Sequence, residues 1–474
     1  MKFKKYVILI AVGIFCCVFD FNIWLKSIIE RYSFAETIYY DMKVEKSIRE
    51  IKKAKDLETK YKIASSLLYL AQIKGEVISY LSLDEAEKVF IEVANKYDVE
   101  LSKEVKKDSV LHVTSYVYSS GGHTRVIERW IENSPDNETH SFVITNKEGM
   151  TDRLKRNIEK KGGEIYTLDP RKNNIEKALE LRKIASSYEK IVLHIFGDDY
   201  IPLIAFGTEK FKRPVFLFDL IDHRFEVGFS VADCVVNYRK YGEDMMKKYR
   251  GGKINRVIPL PIDFDKSRQY AKEEARKMLN LPLDKKIVFS SGTGCKFIPK
   301  DGYNFGEFME KFYQKRKDVL FVLVGPDADM LGIKGKIPQE NYLFFNRMPN
   351  SEFVKYLATA DIVIDSMPLT GGVTVIDAII AKKPVLSLKT KISQNDFIVE
   401  SRAYKETMEE LVESAVELYD DKEKAKDLWQ EQFNALKERH GVEVWRKQIK
   451  ELYDTFKTHS IHDFKSVKKE YEIW

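Results

Sequence analysis

Between Ser109 and Ser387 the chain repeats one pattern, a short run of β-branched and aromatic residues followed by a stretch with helical spacing. No other feature constrains the fold as strongly. Strands separated by helices of this length pair in parallel through right-handed crossovers, because an antiparallel pair needs only a tight turn. The first series of runs is Val110 to Tyr118, His140 to Thr145, Glu164 to Leu168, Ile191 to Phe196, Val215 to Leu220 and Cys234 to Val236. Helical spacing at Thr151 to Lys160 and Ile175 to Ser186 lies between them. A second series follows at Lys286 to Phe289, Val319 to Val324, Tyr342 to Phe345, Ile362 to Asp365 and Pro384 to Ser387. The proline-rich stretch Arg256 to Ile262 joins the two.

The expected fold class is therefore α/β: two facing Rossmann-like domains with parallel sheets, over residues 105–262 and 263–404. Apolar residues at spacings of three and four from Ile48 to Ala71 predict a mainly helical region over 1–104. Helical patterns from Lys405 to Tyr419 and Lys422 to Phe456 predict C-terminal helices over 405–474 that pack back across the domains. Such a chain of 474 residues is too long for one core. Its 79 basic and 73 acidic residues are interspersed, which speaks against a nucleic-acid partner. Cys16, Cys17, Cys234 and Cys295 have no spacing that suits zinc or a disulfide framework, as expected of a reducing, cytoplasmic setting. The apolar run from Tyr6 to Phe19 is shorter than the roughly 20 residues a membrane span needs. Two readings of it stay open, a buried core element and a membrane-associated segment.

In parallel sheets ligands bind beyond the carboxyl ends of the strands, so the loops there carry the chemistry. In Asp365-Ser-Met-Pro-Leu-Thr-Gly-Gly-Val-Thr374, Gly371 and Gly372 open a helix that runs past Asp377. Glycines at a helix start expose N–H groups to an anion, the helix dipole favours it, and Thr374 adds a hydroxyl. After the first strand of the second series, Lys296 in Gly-Cys-Lys-Phe-Ile-Pro299 supplies a compact positive charge. Arg347 follows the Phe344-Phe345 strand end on the same rim. In the first series, Gly121, Gly122 and His123 follow the first strand, and Asp198-Asp199 and Asp222-His223 follow later ones. Histidine is suited to proton transfer near neutral pH, so His123 is a candidate base or donor-site residue, with Asp199 and His223 as weaker candidates.

The stretch ADIVIDSMPLTGGVTVIDAIIAKKPVLSL resembles the nucleotide-sugar-binding segment of GT-B glycosyltransferases, most closely the O-GlcNAc transferase and bacterial cytoplasmic protein-glucosyltransferase group. Lys296 to Pro299 resembles the Lys-x-x-Pro loop of the same group, and Gly121 to Glu128 resembles the first loop and helix of family-four-type enzymes. This resemblance implies that Lys296, Gly371, Gly372 and Thr374 hold a diphosphate and that Asp377 holds the ribose of a uridine-type donor. It also implies a cleft in which Gly121 and Gly122 make room for donor phosphate or sugar. Three departures stand out: Val373-Thr374 replaces a threonine pair, Lys383 replaces a glycine, and Leu369 replaces the first of two glutamates eight positions apart in retaining enzymes. An inverting mechanism is accordingly favoured. Asp327-Ala-Asp329 lies in a loop unlike the metal site of metal-dependent transferases, so no metal or other cofactor is expected. The partners implied are a UDP-type sugar donor and a glycan, lipid-linked saccharide or protein acceptor. Competing readings are a UDP-sugar epimerase or hydrolase of the same fold and a non-catalytic scaffold that keeps it.

Overall fold

Short polar side chains start the helices where the sequence pattern places them. Asp56 Oδ1 accepts from the Thr59 N–H at 2.8 Å, Thr151 caps the helix Asp152–Lys160, and Asn173 with Glu176 forms a reciprocal capping box. Asn304 and Asp421 do the same for Phe305–Lys315 and Lys422–His440. The computed structural model describes residues 21–75, 77–119, 122–147, 149–219, 221–252, 254–262, 264, 270–391 and 402–470, with the backbone alone at 21–34 and 147. Residues 6–19 and Gly121 thus lie outside the described residues.

The strands are β1 Lys106–Tyr116, β2 Thr139–Lys147, β3 Ile165–Thr167, β4 Tyr188–His194, β5 Val215–Asp219, β6 Cys234–Asn237 and β7 Asn255–Val257, then β8 Ile287–Ser291, β9 Leu320–Val324, β10 Tyr342–Phe345, β11 Ile362–Ile364, β12 Val385–Leu388 and β13 Tyr404–Lys405. They form a 7-stranded sheet in the order β3-β2-β1-β4-β5-β6-β7 and a 6-stranded sheet in the order β10-β9-β8-β11-β12-β13. Pairing is parallel throughout, as in Val113 opposite Val143 on one side and Leu193 on the other. The architecture is α/β with two Rossmann-like halves, as the sequence pattern predicts. Two strands escape that pattern: β7 lies inside the proline-rich link, and β13 has only Tyr404 and Lys405. Both are edge strands, defined by the neighbour they pair with more than by their own residues.

The described N-terminal residues form the helices Phe21–Lys53, Leu57–Ile73 and Asp84–Ala94. Buried Glu87 ties the last of these to the first sheet domain, accepting from the N–H groups of Gly228 at 2.9 Å and Ser230 at 2.8 Å. Among the described residues no helix is long and apolar enough to cross a membrane.

One apolar cluster spans both halves. It contains Val110, Trp130 and Phe216 of the first, Ile287, Val322 and Ile376 of the second, and Trp445 and Ile449 of the terminal helix Val442–Thr455. The expected helix from Lys422 to Phe456 is two helices, because the chain breaks at Gly441. That break turns Val442–Thr455 back onto the first sheet, where Trp445 meets Trp130 edge-on at 5.5 Å and Tyr453 meets Phe216 at 5.3 Å. Beyond it the chain runs extended along the first half, with buried His459 bonded to Asp233 at 2.9 Å and the Lys469 N–H to the Ser79 carbonyl at 2.9 Å.

Candidate functional site

Strand order reverses between β1 and β4 in the first sheet and between β8 and β11 in the second. Adjacent parallel strands whose connections leave in opposite directions open a crevice at their carboxyl ends. Four loops therefore frame the site: those after β1 and β4 on one side, and those after β8 and β11 on the other.

On the second side, buried Asp365 follows β11 and organises the turn. Its Oδ1 accepts from the N–H groups of Ser366 at 2.9 Å and Gly371 at 2.7 Å, and its Oδ2 accepts from the Ser387 hydroxyl at 3.0 Å. A Cβ on Gly371 would lie 2.9 Å from Asp365 Oδ1, which is why glycine stands there. The Gly371 N–H, expected to meet a phosphate, is already committed to this carboxylate. Gly372 caps the helix Val373–Ile380, and Thr374 sits half-buried on its first turn. Lys296 lies in a short 3₁₀ turn after β8, and its Nζ donates to the Thr370 carbonyl at 2.5 Å. Burial lowers its pKa below the ordinary lysine range, against an opposing pull from Asp365.

Asp377 departs from its expected role. Its carboxylate is 8% exposed and is gripped by Arg125 Nη2 and, at 2.7 Å, by Arg129 Nη2, both on the facing helix Gly122–Asn133. In this clasp both carboxylate oxygens of Asp377 face guanidinium groups. Burial lowers Arg129 to about 10, with Asp377 opposing the shift. Arg125 and Arg129 stand one helical turn apart, a spacing visible in the sequence, but Asp377 lies 248 residues beyond Arg129. The halves approach closely here, since a Cβ on Gly122 would lie 3.4 Å from Val373 Cγ2, and one on Gly372 would lie 3.4 Å from the Tyr238 hydroxyl.

On the first side, His123 Nε2 donates to the His194 carbonyl at 3.1 Å, and its ring lies 4.9 Å from that of Phe196. Burial pushes its pKa down to about 4, so the imidazole is neutral and its buried Nδ1 is an unpaired acceptor among the described residues. This is poor chemistry for a base at neutral pH and good chemistry for receiving a hydroxyl. Asp199 is consumed by the scaffold: Oδ2 accepts from Ser115 at 2.6 Å and from the Thr145 hydroxyl, and Oδ1 accepts from the Ile201 N–H at 3.3 Å. Burial raises it to about 6, yet no oxygen remains for an acceptor. His223 is no better suited to take a proton. Burial, outweighing its 3.3 Å contact with Asp222, lowers it to about 4, and the charge of Lys296 across the cleft adds to that shift. Asp222 is held below the usual carboxylate range by a two-pronged bond from Arg239, at 2.5 and 2.6 Å, which overcomes burial. Arg347 follows β10, and its charge opposes the rise in the pKa of Tyr118, which burial and the charge of Asp198 drive.

A further element was not legible from spacing. Buried His140, His112 and His194, on β2, β1 and β4, form a hydrogen-bonded row at 2.9 and 3.0 Å, with Glu138 at 3.3 Å from His140 Nε2. Burial lowers all three, so they are neutral. With the His140 proton on Nε2, the side facing Glu138, His112 Nε2 donates to His140 Nδ1 and His194 Nε2 donates to His112 Nδ1. The row fixes the end of β4, and with it the carbonyl that orients His123. Among the described residues no group of histidine, cysteine and carboxylate side chains suits a metal ion. Asp327 caps a turn at the Met330 N–H, and Asp329 pairs with Lys334 at 2.6 Å.

Two facing Rossmann-like halves, crossed by a C-terminal helix that returns to the first, constitute the GT-B fold. Comparison with solved structures agrees. The crystal structure of Anabaena HepE in complex with UDP and glucose superposes with a TM-score of 0.54 at 14% identity, over 73% of this chain and 99% of that one. A mutant of the Thermobaculum terrenum O-GlcNAc transferase gives 0.54 at 12%, over 88% and 81%. A glycosyltransferase from Rickettsia africae gives 0.55 at 13%, over 75% and 99%. No protein-family model matches the chain, and no curated protein matches it. At these identities the likeness establishes the fold, and the activity rests on the site.

Proposed function

We propose that the protein is a glycosyltransferase that moves a sugar from a uridine-type nucleotide donor to a glycan, lipid-linked saccharide or protein, without a metal. The observation that carries this reading is the half-buried Lys296 side chain, its amine beside the N-terminus of the helix Val373–Ile380, at the switch point of the second sheet. An ammonium and a helix N-terminus together stabilise the negative charge that develops on a departing diphosphate. Gly372 and Thr374 line the same end, and the charge of Lys296 is felt by His223 of the first half. His123, neutral with a bare Nδ1, accepts a hydroxyl of the donor sugar. Arg347 closes the rim. The reaction draws on a cytosolic activated sugar, which puts the site on the cytoplasmic side.

A second reading, a non-catalytic protein keeping the fold, is favoured by one observation: the clasp that occupies Asp377. Calorimetric titration with UDP decides. A dissociation constant in the micromolar range that weakens at least about tenfold in Lys296→Met, about 1.4 kcal/mol, supports the transferase. No measurable heat with UDP, UDP-glucose or UDP-GlcNAc overturns it.

A further inference from the structure

We infer that the crevice between the ends of β1 and β4 is an acceptor-sugar subsite, and that Asp198 takes the proton of the attacking hydroxyl there. The inference rests on the glycosyl-transfer reading above and names a residue of that reaction.

Asp198 stands in a turn whose other polar groups are spent on the scaffold. The Phe196 N–H donates to Ser115 Oγ at 2.9 Å, the Gly197 N–H to Gln72 Oε1 at 3.1 Å, and the Asp199 N–H to the Phe196 carbonyl at 2.9 Å. Both carboxylate oxygens of Asp199 are bonded to Ser115, Thr145 and Ile201. Asp198 is the exception: its Oδ1 is buried and has no hydrogen-bond partner among the described residues. Leaving a buried carboxylate oxygen unpaired is costly, and such groups mark ligand sites more often than accidents of packing.

Its surroundings are aromatic. Tyr116 and Phe196 lie with ring centres 5.6 Å apart, Tyr118 and Phe196 6.1 Å, and Tyr116 and Tyr118 6.0 Å. The Tyr118 backbone is pinned by its N–H to Thr124 Oγ1 at 2.8 Å, while the residue is 43% exposed. Burial and then the charge of Asp198 push Tyr116 up to about 12, and the same two causes raise Tyr118. Burial also raises Asp198 itself, which makes it a stronger base than an exposed aspartate. The negative face of an aromatic ring attracts the C–H face of a pyranose, and a carboxylate beside it accepts the hydroxyl at the edge. The loops after β1 and β4 that carry these rings stand at the switch point of the first sheet, so this floor lies on the cleft.

The step balances without a further reagent. The acceptor hydroxyl loses its proton to the Asp198 carboxylate as its oxygen bonds to the anomeric carbon. The bond from that carbon to the diphosphate oxygen breaks, and its electron pair leaves with UDP. Attack opposite the leaving group inverts the configuration.

The test measures UDP release from UDP-glucose and UDP-GlcNAc with methyl β-glucoside, methyl β-N-acetylglucosaminide, water and sodium azide as acceptors, and donor affinity by calorimetry. Asp198→Asn is expected to keep donor affinity within about twofold, lose at least about 100-fold in rate with hydroxyl acceptors, and regain UDP release with azide, which has no proton to give up. Tyr116→Leu raises KM for the glucosides at unchanged donor affinity. An Asp198→Asn rate within about threefold of wild type, or no rescue by azide, overturns the assignment and leaves the donor site standing. Donor binding without UDP release to any of these acceptors overturns it as well. A wild-type protein that binds neither donor brings down the glycosyl-transfer reading, and this one with it.

Discussion

Asp377→Ala tests the clasp between the two halves. The carboxylate is 8% exposed, and its partners Arg125 and Arg129 are 15% and 12% exposed, so solvent screening is slight. The change deletes the carboxylate these guanidinium groups share and leaves two like charges one turn apart. Arg125 Nε and Arg129 Nη1 are already buried without partners, so the freed charges have no alternative acceptor among the described residues. Removing one side of a buried ion pair costs about 3–5 kcal/mol. Arg125→Ala leaves the Arg129 bond intact and is expected to cost less, about 1–2 kcal/mol. The triple variant Arg125→Met, Arg129→Met, Asp377→Leu replaces charge by apolar volume and is expected to recover most of the loss. Trp130 and Trp445, 5.5 Å apart where the halves and the terminal helix meet, report on this region by fluorescence during urea unfolding. A chain of two halves need not unfold in one step, so the midpoint of the tryptophan transition is the quantity compared. An Asp377→Ala midpoint equal to wild type, or a triple variant no better than the single one, refutes the clasp as an energetic element.

Other outcomes rest on the same geometry. Gly371→Ala places a Cβ 2.9 Å from Asp365 Oδ1 and is expected to destabilise by about 1–3 kcal/mol, read from the urea midpoint. The buried histidine row gives a pH dependence whose sign is definite. Folding lowers the pKa of His112, His140 and His194, so the unfolded chain binds more protons below its own value of about 6.5. Their contribution is full above about pH 6.5 and is lost as pH falls below it, by up to about 1.4 kcal/mol per unit and per histidine. Midpoints measured at about pH 7.5, 6 and 5 are expected to fall less steeply in His112→Gln than in wild type.

Most of the fold is legible along the chain because it is written in local periodicity. Each central run from Val110 to Tyr118 through Pro384 to Ser387 contains a strand, with ends displaced by a few residues. Burial on both faces of a parallel sheet demands continuous apolar residues, and that demand is visible residue by residue. The placement of Lys296 and the Gly371-Gly372 turn beyond strand ends follows too, whatever the details of packing.

The task of each polar group at those ends is another matter. Asp198 and Asp199 are adjacent and chemically identical, yet one carboxylate is consumed by Ser115 and Thr145 while an oxygen of its neighbour is buried and unpaired among the described residues. Asp377 sits where a ribose contact is expected and is taken by Arg129, 248 positions earlier in the chain, and by Arg125 one turn before that. The histidine row joins residues of β1, β2 and β4 that no spacing connects. A carboxylate's role depends on its partners and its distance from water, and both are set by contacts between segments far apart in sequence. Local pattern along the chain therefore dictates the two parallel sheets and the place where they open. Long-range packing alone settles which of the charged groups at that opening are bonded to the scaffold and which keep a buried atom unpaired among the described residues.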